Sequence, residues 1–321
     1  MYSRFGPEAG VRIFRKRSLI SGLVALIFGA PAFARASELP GSASVSAPGM
    51  SQPTQRGQAL PESCRTYLGR NMAAALYEPI NVYKPVAANI GVVDGPFEYL
   101  SVAGVRLPLP FTTRMTVVRL SNGDLFLHSP TKFDRQLADE LERLGTVRHL
   151  ISPNQFHYAH IGEWLTAFPD AVAWASPGVR RRSRARHVEI RFARDLDPSP
   201  PDEWRNELDQ MLFPGGYFKE FVFFHRESAS LIVTDAIVNI ELDKMDEPWR
   251  TLTRMSGMYH PRGQVFFGMR LPLLLQPKKA AAAIAKLHAW QPRRILLSHG
   301  RCFDVDAGEV IRRVFGKRPG S

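Results

Sequence analysis

A short apolar run, His149-Leu150-Ile151, stops at Ser152-Pro153-Asn154 and is followed by two histidines three residues apart, His157 and His160. The run reads as a buried strand ending at a Pro/Asn turn signal. At that spacing the two imidazoles share one face if the segment turns into a helix. A strand that delivers two imidazoles to its C-terminal end can start a metal site without proving one. It asks the rest of the chain for further ligands at neighbouring strand ends.

The flanking pattern supplies the strands. Ile90-Gly91-Val92-Val93 reads as a strand ended by a turn at Asp94-Gly95-Pro96. Arg114 to Leu120 and Leu125 to His128, separated by Ser121-Asn122-Gly123-Asp124, form the strongest hairpin signal. Asp134 to Leu144 has apolar residues at 137, 141 and 144, a helical spacing. Ile161 to Phe168 reads as a short helix and Ala171 to Trp174 as a strand. Leu208 to Phe213, Glu220 to His225, Ser230 to Thr234 and Arg294 to Leu297 read as further strands. Helices are expected over Pro277–Trp290 and Asp306–Phe315. Early strands pair through hairpins and later ones alternate with helices, which is a mixed α/β pattern. No repeat and no Gly-rich phosphate loop occurs.

Composition narrows the class. The excess of 12 basic charges comes mostly from two stretches, residues 1–36 and the arginine run of 180–194. The remainder is close to neutral, which argues against a nucleic-acid-coating protein. Two cysteines, Cys64 and Cys302, exclude a disulfide framework and a Cys-rich zinc module. They leave room for one bridge in an oxidising compartment.

The N-terminus reads as an address. Arg12, Arg15, Lys16 and Arg17 precede an apolar stretch over Leu19–Phe33 and the small-x-small sequence Ala34-Arg35-Ala36. This order predicts a signal peptide over 1–36, hence a periplasmic or secreted protein with no transmembrane span in the mature chain. Residues 37–71, poor in apolar periodicity, read as a disordered linker, and 72–317 as one domain. Met72 offers a competing start, which would leave the protein cytoplasmic.

Three strand ends carry metal-compatible side chains: His157 and His160 after one, Asp235 after another, His299 after a third. Imidazole and carboxylate suit one zinc or iron ion, and three protein ligands with an open position is the composition of a catalytic site. Taken singly, each has a plainer reading: a helix start, a turn residue, a tight turn.

The order of these features resembles the metallo-β-lactamase fold superfamily. There a strand leads to His-x-His-x-Asp-His-x-Gly, followed later by a Pro-Gly-His turn, a Gly-Asp strand end and a Gly-His strand end. His157-Tyr158-Ala159-His160-Ile161-Gly162, Pro214-Gly215-Gly216, the strand ending at Asp235, and Ser298-His299-Gly300 fall at those positions. More narrowly, Tyr77-Glu78-Pro79-Ile80-Asn81, Asp94-Gly95-Pro96, Arg114 to Val118, His128-Ser129-Pro130-Thr131 and Pro153-Asn154 resemble the domain-of-unknown-function family 4336. The resemblance implies a four-layer αββα sandwich. Gln155, Ala159 and Gly216 replace three of the usual ligands, so it implies at most a mononuclear site. His160, Asp235 and His299 would hold the ion, with His157 nearby. The implied activity is hydrolysis of a small-molecule ester, amide or phosphoester, with Asp235 as the catalytic carboxylate. The same losses fit a non-catalytic binding or scaffold protein that kept the fold.

Three rival readings are weaker. Ser129-Pro130-Thr131-Lys132 has the Ser-x-x-Lys form of penicillin-recognising enzymes, but its companion motifs are missing. Cys302 as a nucleophile competes with an ordinary packed thiol. The arginines of 180–186 offer a site for phosphate or nucleic acid, but without interleaved aromatics they read rather as a solvated face or a contact for an acidic substrate.

Overall fold

The computed structural model describes residues 75–316, other than 103 and 104. The expected signal segment over 1–36, the linker over 37–71 and Cys64 lie outside the described residues.

Two sheets face each other. The first runs in chain order: Tyr83–Ala87 (β1), Ile90–Val102 (β2), Val105–Arg119 (β3), Asp124–His128 (β4), Thr146–Ser152 (β5), Val172–Ala175 (β6) and Phe192–Asp195 (β7). β1 to β4 are antiparallel and β4 to β7 parallel. The parallel steps are bridged by helices Arg135–Leu144 (α1), Ile161–Ala167 (α2) and Val179–Ala185 (α3), because a parallel neighbour requires a crossover. The second sheet is ordered β11-β10-β9-β8, from Leu208–Phe213 (β8), Glu220–His225 (β9), Ser230–Val233 (β10) and Arg294–Leu297 (β11). Between β10 and β11 lie Trp249–Ser256 (α4), Phe267–Leu275 (α5) and Pro277–Ala289 (α6). Ala307–Phe315 (α7) follows β11.

Strand periodicity sorts side chains into layers. In β4, Leu125 and Leu127 face Leu137, Leu141 and Trp164 of α1 and α2. Phe126 between them points the other way, into the space shared with Phe221, Phe223 and Trp204. On the second sheet Val222, Leu231 and Val233 turn outward, where Leu287 and Ile311 of α6 and α7 cover them. The result is the four-layer αββα sandwich. α1 shows how locally this is encoded. Asp134 caps it by accepting from Leu137 N–H at 3.0 Å, and Leu137, Ala138 and Leu141 form its buried stripe. Burial of each leucine contributes on the order of 2 kcal/mol.

The hairpin forms as expected, with Thr116 opposite His128 and Arg119 opposite Leu125. The expected turn at Asp94-Gly95-Pro96 does not: β2 continues through it, and the register shifts between Gly95 and Phe97. A bulge tolerates a proline, which has no N–H for the ladder. It also leaves Asp94 buried against Arg114 at 2.6 Å and Lys84 at 2.9 Å. The arginine run is helical, forming α3, with Val179 and Ser183 buried. No helix among the described residues is long and apolar enough to cross a membrane.

Candidate metal centre

Asn154 organises the end of β5. Its Oδ1 accepts from the backbone N–H of Phe156 at 2.7 Å and of His157 at 3.1 Å, so the chain folds back in an Asx turn. Its Nδ2 donates to Thr234 Oγ1 at 3.1 Å and to Asp235 Oδ2 at 2.8 Å. One fully buried side chain thus fixes two of the candidate ligands. Asp235 follows β10 in a loop whose backbone is gathered by Glu220. That carboxylate accepts from the N–H groups of Thr234, Asp235 and Ala236 at 3.1, 2.7 and 3.1 Å, and from the Thr234 hydroxyl. His299 follows β11. Gly300 after it has φ +94°, and a Cβ there would sit 2.0 Å from Asn239 O, so only glycine lets the chain turn away at this point.

These three strand ends bring His157, Asp235 and His299 together. His157 Nε2 lies 3.5 Å from Asp235 Oδ2, His299 Nε2 lies 3.5 Å from Asp235 Oδ1, and the two Nε2 atoms are 3.3 Å apart. Tetrahedral ligands about 2.0–2.1 Å from a zinc ion stand about 3.3–3.4 Å from each other. The donor atoms face inward for a chemical reason. His299 Nδ1 donates to Thr112 O, a pure acceptor, at 2.7 Å, so Nε2 is the nitrogen turned toward Asp235. His157 Nδ1 lies 2.7 Å from Ser129 Oγ. Fixing the outer ring nitrogen in this way is what orients a metal-binding imidazole. Two imidazole nitrogens and a carboxylate converging at such distances suit one divalent cation.

Electrostatics agree. Burial lowers the pKa of His157 despite the opposing pull of Asp235, which keeps the ring neutral and ready to bind. Burial alone would raise the Asp235 carboxyl, but His157 and His299 hold it well below the ordinary carboxylate range. Burial and the charge of Asp235 push Glu220 up to about 7, against the donors that stabilise its ionised form.

His160 does not join the group. Of the two histidines, it is His157 that lies beside Asp235 and His299. α2 begins only at Ile161, so His157 lies in the preceding turn and the two rings do not share a helical face. His160 Nε2 is 3.1 Å from Glu98 Oε1, and Nδ1 is 3.4 Å from Glu163 Oε2. The replaced ligand positions are accounted for as well. Gln155 donates to Tyr217 O, away from the centre. Gly216, at φ +63°, packs against Pro272. Ala159 lines a cavity of about 230 Å³ over the three residues, together with Phe111, Phe156, Phe218 and Phe266.

Four supporting residues carry no ligand signature in the sequence: Asn154, Ser129, Glu220 and Arg114. Ser129 had a findable signal, since it ends β4 on the same sheet edge as His157 follows β5. Arg114 had none. Its Nη1 reaches Leu297 O at 2.9 Å and Gly300 O at 2.5 Å, so it clamps both sides of His299. Cys302, a free thiol, lies 3.4 Å from the same nitrogen.

No family model matches the chain, and no curated protein matches it. Among solved structures it is similar to DIM-1 metallo-β-lactamase exposed to ceftazidime, at 13% identity and TM-score 0.50, over 76% of this chain and 97% of that one. It is also similar to FIM-1 from Pseudomonas aeruginosa in a mono-zinc form, at 13% identity and TM-score 0.48, over 73% and 92%. With the two facing sheets and their outer helices, the first likeness identifies the architecture: the chain has the metallo-β-lactamase fold.

Proposed function

We propose that the protein is a metal-dependent hydrolase with one mononuclear site, held by His157, Asp235 and His299. The observation that carries this reading is the convergence of the two Nε2 atoms, 3.3 Å apart, on the Asp235 carboxylate, each 3.5 Å from one of its two oxygens, with their outer partners already in place. An ion such as zinc or iron held there supplies Lewis-acid polarisation of a carbonyl or phosphoryl oxygen. The protein supplies the rest. His157 and His299 turn their Nε2 atoms toward the carboxylate of Asp235. Asp235, kept ionised, binds and orients rather than releasing protons. His160 and Glu98 line the same cavity as a hydrogen-bonded acid–base pair, within the wall a leaving group would face. Phe111, Phe156 and Phe266 exclude water. The substrate is a small molecule carrying an ester, amide or phosphoester.

The narrower assignment to the branch resembling domain-of-unknown-function family 4336 belongs to this proposal. Its support is that the residues shared with that branch hold the site: Ser129 binds His157, Asn154 binds Asp235 and Arg114 clamps Gly300. Export through residues 1–36, a linker to 71 and one domain over 72–317 are proposed with it.

The test is hydrolysis of a panel of p-nitrophenyl esters, anilides and phosphodiesters. Activity should vanish with chelator, return with zinc or iron, and be missing in His299→Ala. Chelator-resistant activity, or metal-free wild-type protein that takes up no ion, would favour the scaffold reading instead.

A further inference from the structure

The cavity over the centre has a cationic wall. Arg182, on α3, lies flat against Phe156, its Cζ 4.1 Å from the ring centroid, and its Nη1 donates to Tyr217 Oη at 2.8 Å. Phe156 is itself stacked on Phe218, with centroids 4.9 Å apart. The guanidinium is therefore held in one place by rings on two sides of the cavity mouth. Its Nε is buried without a hydrogen-bond partner, and among the described residues no carboxylate stands within ion-pair distance of Arg182. Its neighbour Arg180 behaves differently: it bonds Asp195 at 2.8 Å and Phe192 O at 2.7 Å, tying α3 to β7. Arg186, one helical turn beyond Arg182, lines the same cavity. Of the two acidic groups lining the cavity, Glu98 is bound to His160, and Asp235 lies against His157 and His299.

A partly desolvated guanidinium without a counter-ion is costly. Fixed on an aromatic ring at the lining of a cavity, it is a preorganised receptor for a planar or tetrahedral oxyanion. The remaining walls, Phe111 and Phe266, suit an apolar body.

We propose that this cavity takes an organic anion, a carboxylate or phosphate borne on an aromatic or other apolar body. The charge docks on Arg182, and the body lies among the phenylalanines beside His157, Asp235 and His299. This rests on the hydrolase reading for what becomes of the ligand. The preference for an anion is carried by Arg182 and is measurable without the ion.

Calorimetric titration of the full chain with phenylacetate, phenyl phosphate and the neutral phenylacetamide tests it, before and after chelator treatment. At least one anion should bind on the order of tenfold tighter than the amide, and the two anions together distinguish carboxylate from phosphate. The preference should disappear in Arg182→Met and Arg182→Gln, weaken in Tyr217→Phe, and persist after chelation. Either neutral variant that keeps the wild-type circular dichroism suffices. Equal binding of all three probes, binding of neither anion, a preference unchanged without Arg182, or a preference lost on chelation would each overturn the proposal. Failure of the hydrolase reading looks different: no metal uptake and no hydrolysis, with the Arg182-dependent preference intact.

Discussion

Replacing Asn154 by alanine is the sharpest perturbation of the site that leaves His157, Asp235 and His299 themselves unchanged. The side chain accepts two backbone N–H bonds and donates two, one of them to the ionised Asp235. The two N–H groups and the Thr234 contact are each worth about 1 kcal/mol, and the bond to the carboxylate about 1.5–3 kcal/mol. The sum allows a loss of about 3–5 kcal/mol of stability once partial rehydration is counted. Because the same bonds orient His157 and Asp235, zinc affinity should fall about 10–100-fold, the usual scale for a residue that positions a ligand. Urea unfolding of the chelated protein gives the first quantity, and competition with a chromophoric chelator gives the second. Asn154→Asp separates the two roles. It keeps the acceptor for Phe156 and His157, but sets a second carboxylate beside Asp235, so its stability should fall as pH rises and both groups ionise. A loss under about 1 kcal/mol for Asn154→Ala, with zinc affinity unchanged, would refute the view that this turn builds the centre.

Other expectations follow from the same structure. Burial lowers His149 to about 4 and His128 to about 3. The folded state thus excludes a proton that the unfolded chain binds below about 6.5. At about 1.4 kcal/mol per pH unit, the His149 shift alone removes about 3 kcal/mol of stability as pH falls from 6.5 to 4. Urea midpoints at pH 7 and 4.5 should show this, with a smaller drop in His149→Phe; equal midpoints for wild type would contradict it. Arg114→Met should cost about 3–5 kcal/mol, because it leaves buried Asp94 with Lys84 as its remaining cation and releases the Gly300 loop. Adding Asp94→Asn should recover part of the loss in thermal melts, and no recovery would sink the charge argument. Gly300→Ala should lower both melting temperature and zinc uptake, since its Cβ meets Asn239 O and its φ is left-handed; a wild-type melt would show that the turn adapts.

How much of this was legible in the sequence depends on the range of the interaction. Strands with unbroken apolar runs, such as Phe221 to Phe224, announce themselves. So does α1, whose cap and buried stripe lie within ten residues. The three strand ends bearing His157, Asp235 and His299 were readable for the same reason: each is a local boundary. The choice between His157 and His160 was not local. It is made by Asn154 within the turn and by Ser129, 28 residues away, which receives the outer nitrogen of His157. The Asp94-Gly95-Pro96 segment has the composition of a turn, yet β3 pairs along it and converts it into a bulge. α5 carries Pro272 inside and leaves Leu274 and Leu275 exposed, so no helical period marks it. The clamp of Arg114 on β11's end spans more than 180 residues, beyond any pattern a window of sequence reveals.

The central claim is that His157, and not His160, completes the centre with Asp235 and His299. Zinc stoichiometry by equilibrium dialysis on wild type, His157→Ala and His160→Ala tests it most directly. Wild type and His160→Ala should each hold one tightly bound ion, and His157→Ala should hold none under the same conditions. Retention of the ion by His157→Ala with loss by His160→Ala, or no ion in wild type, would contradict the claim.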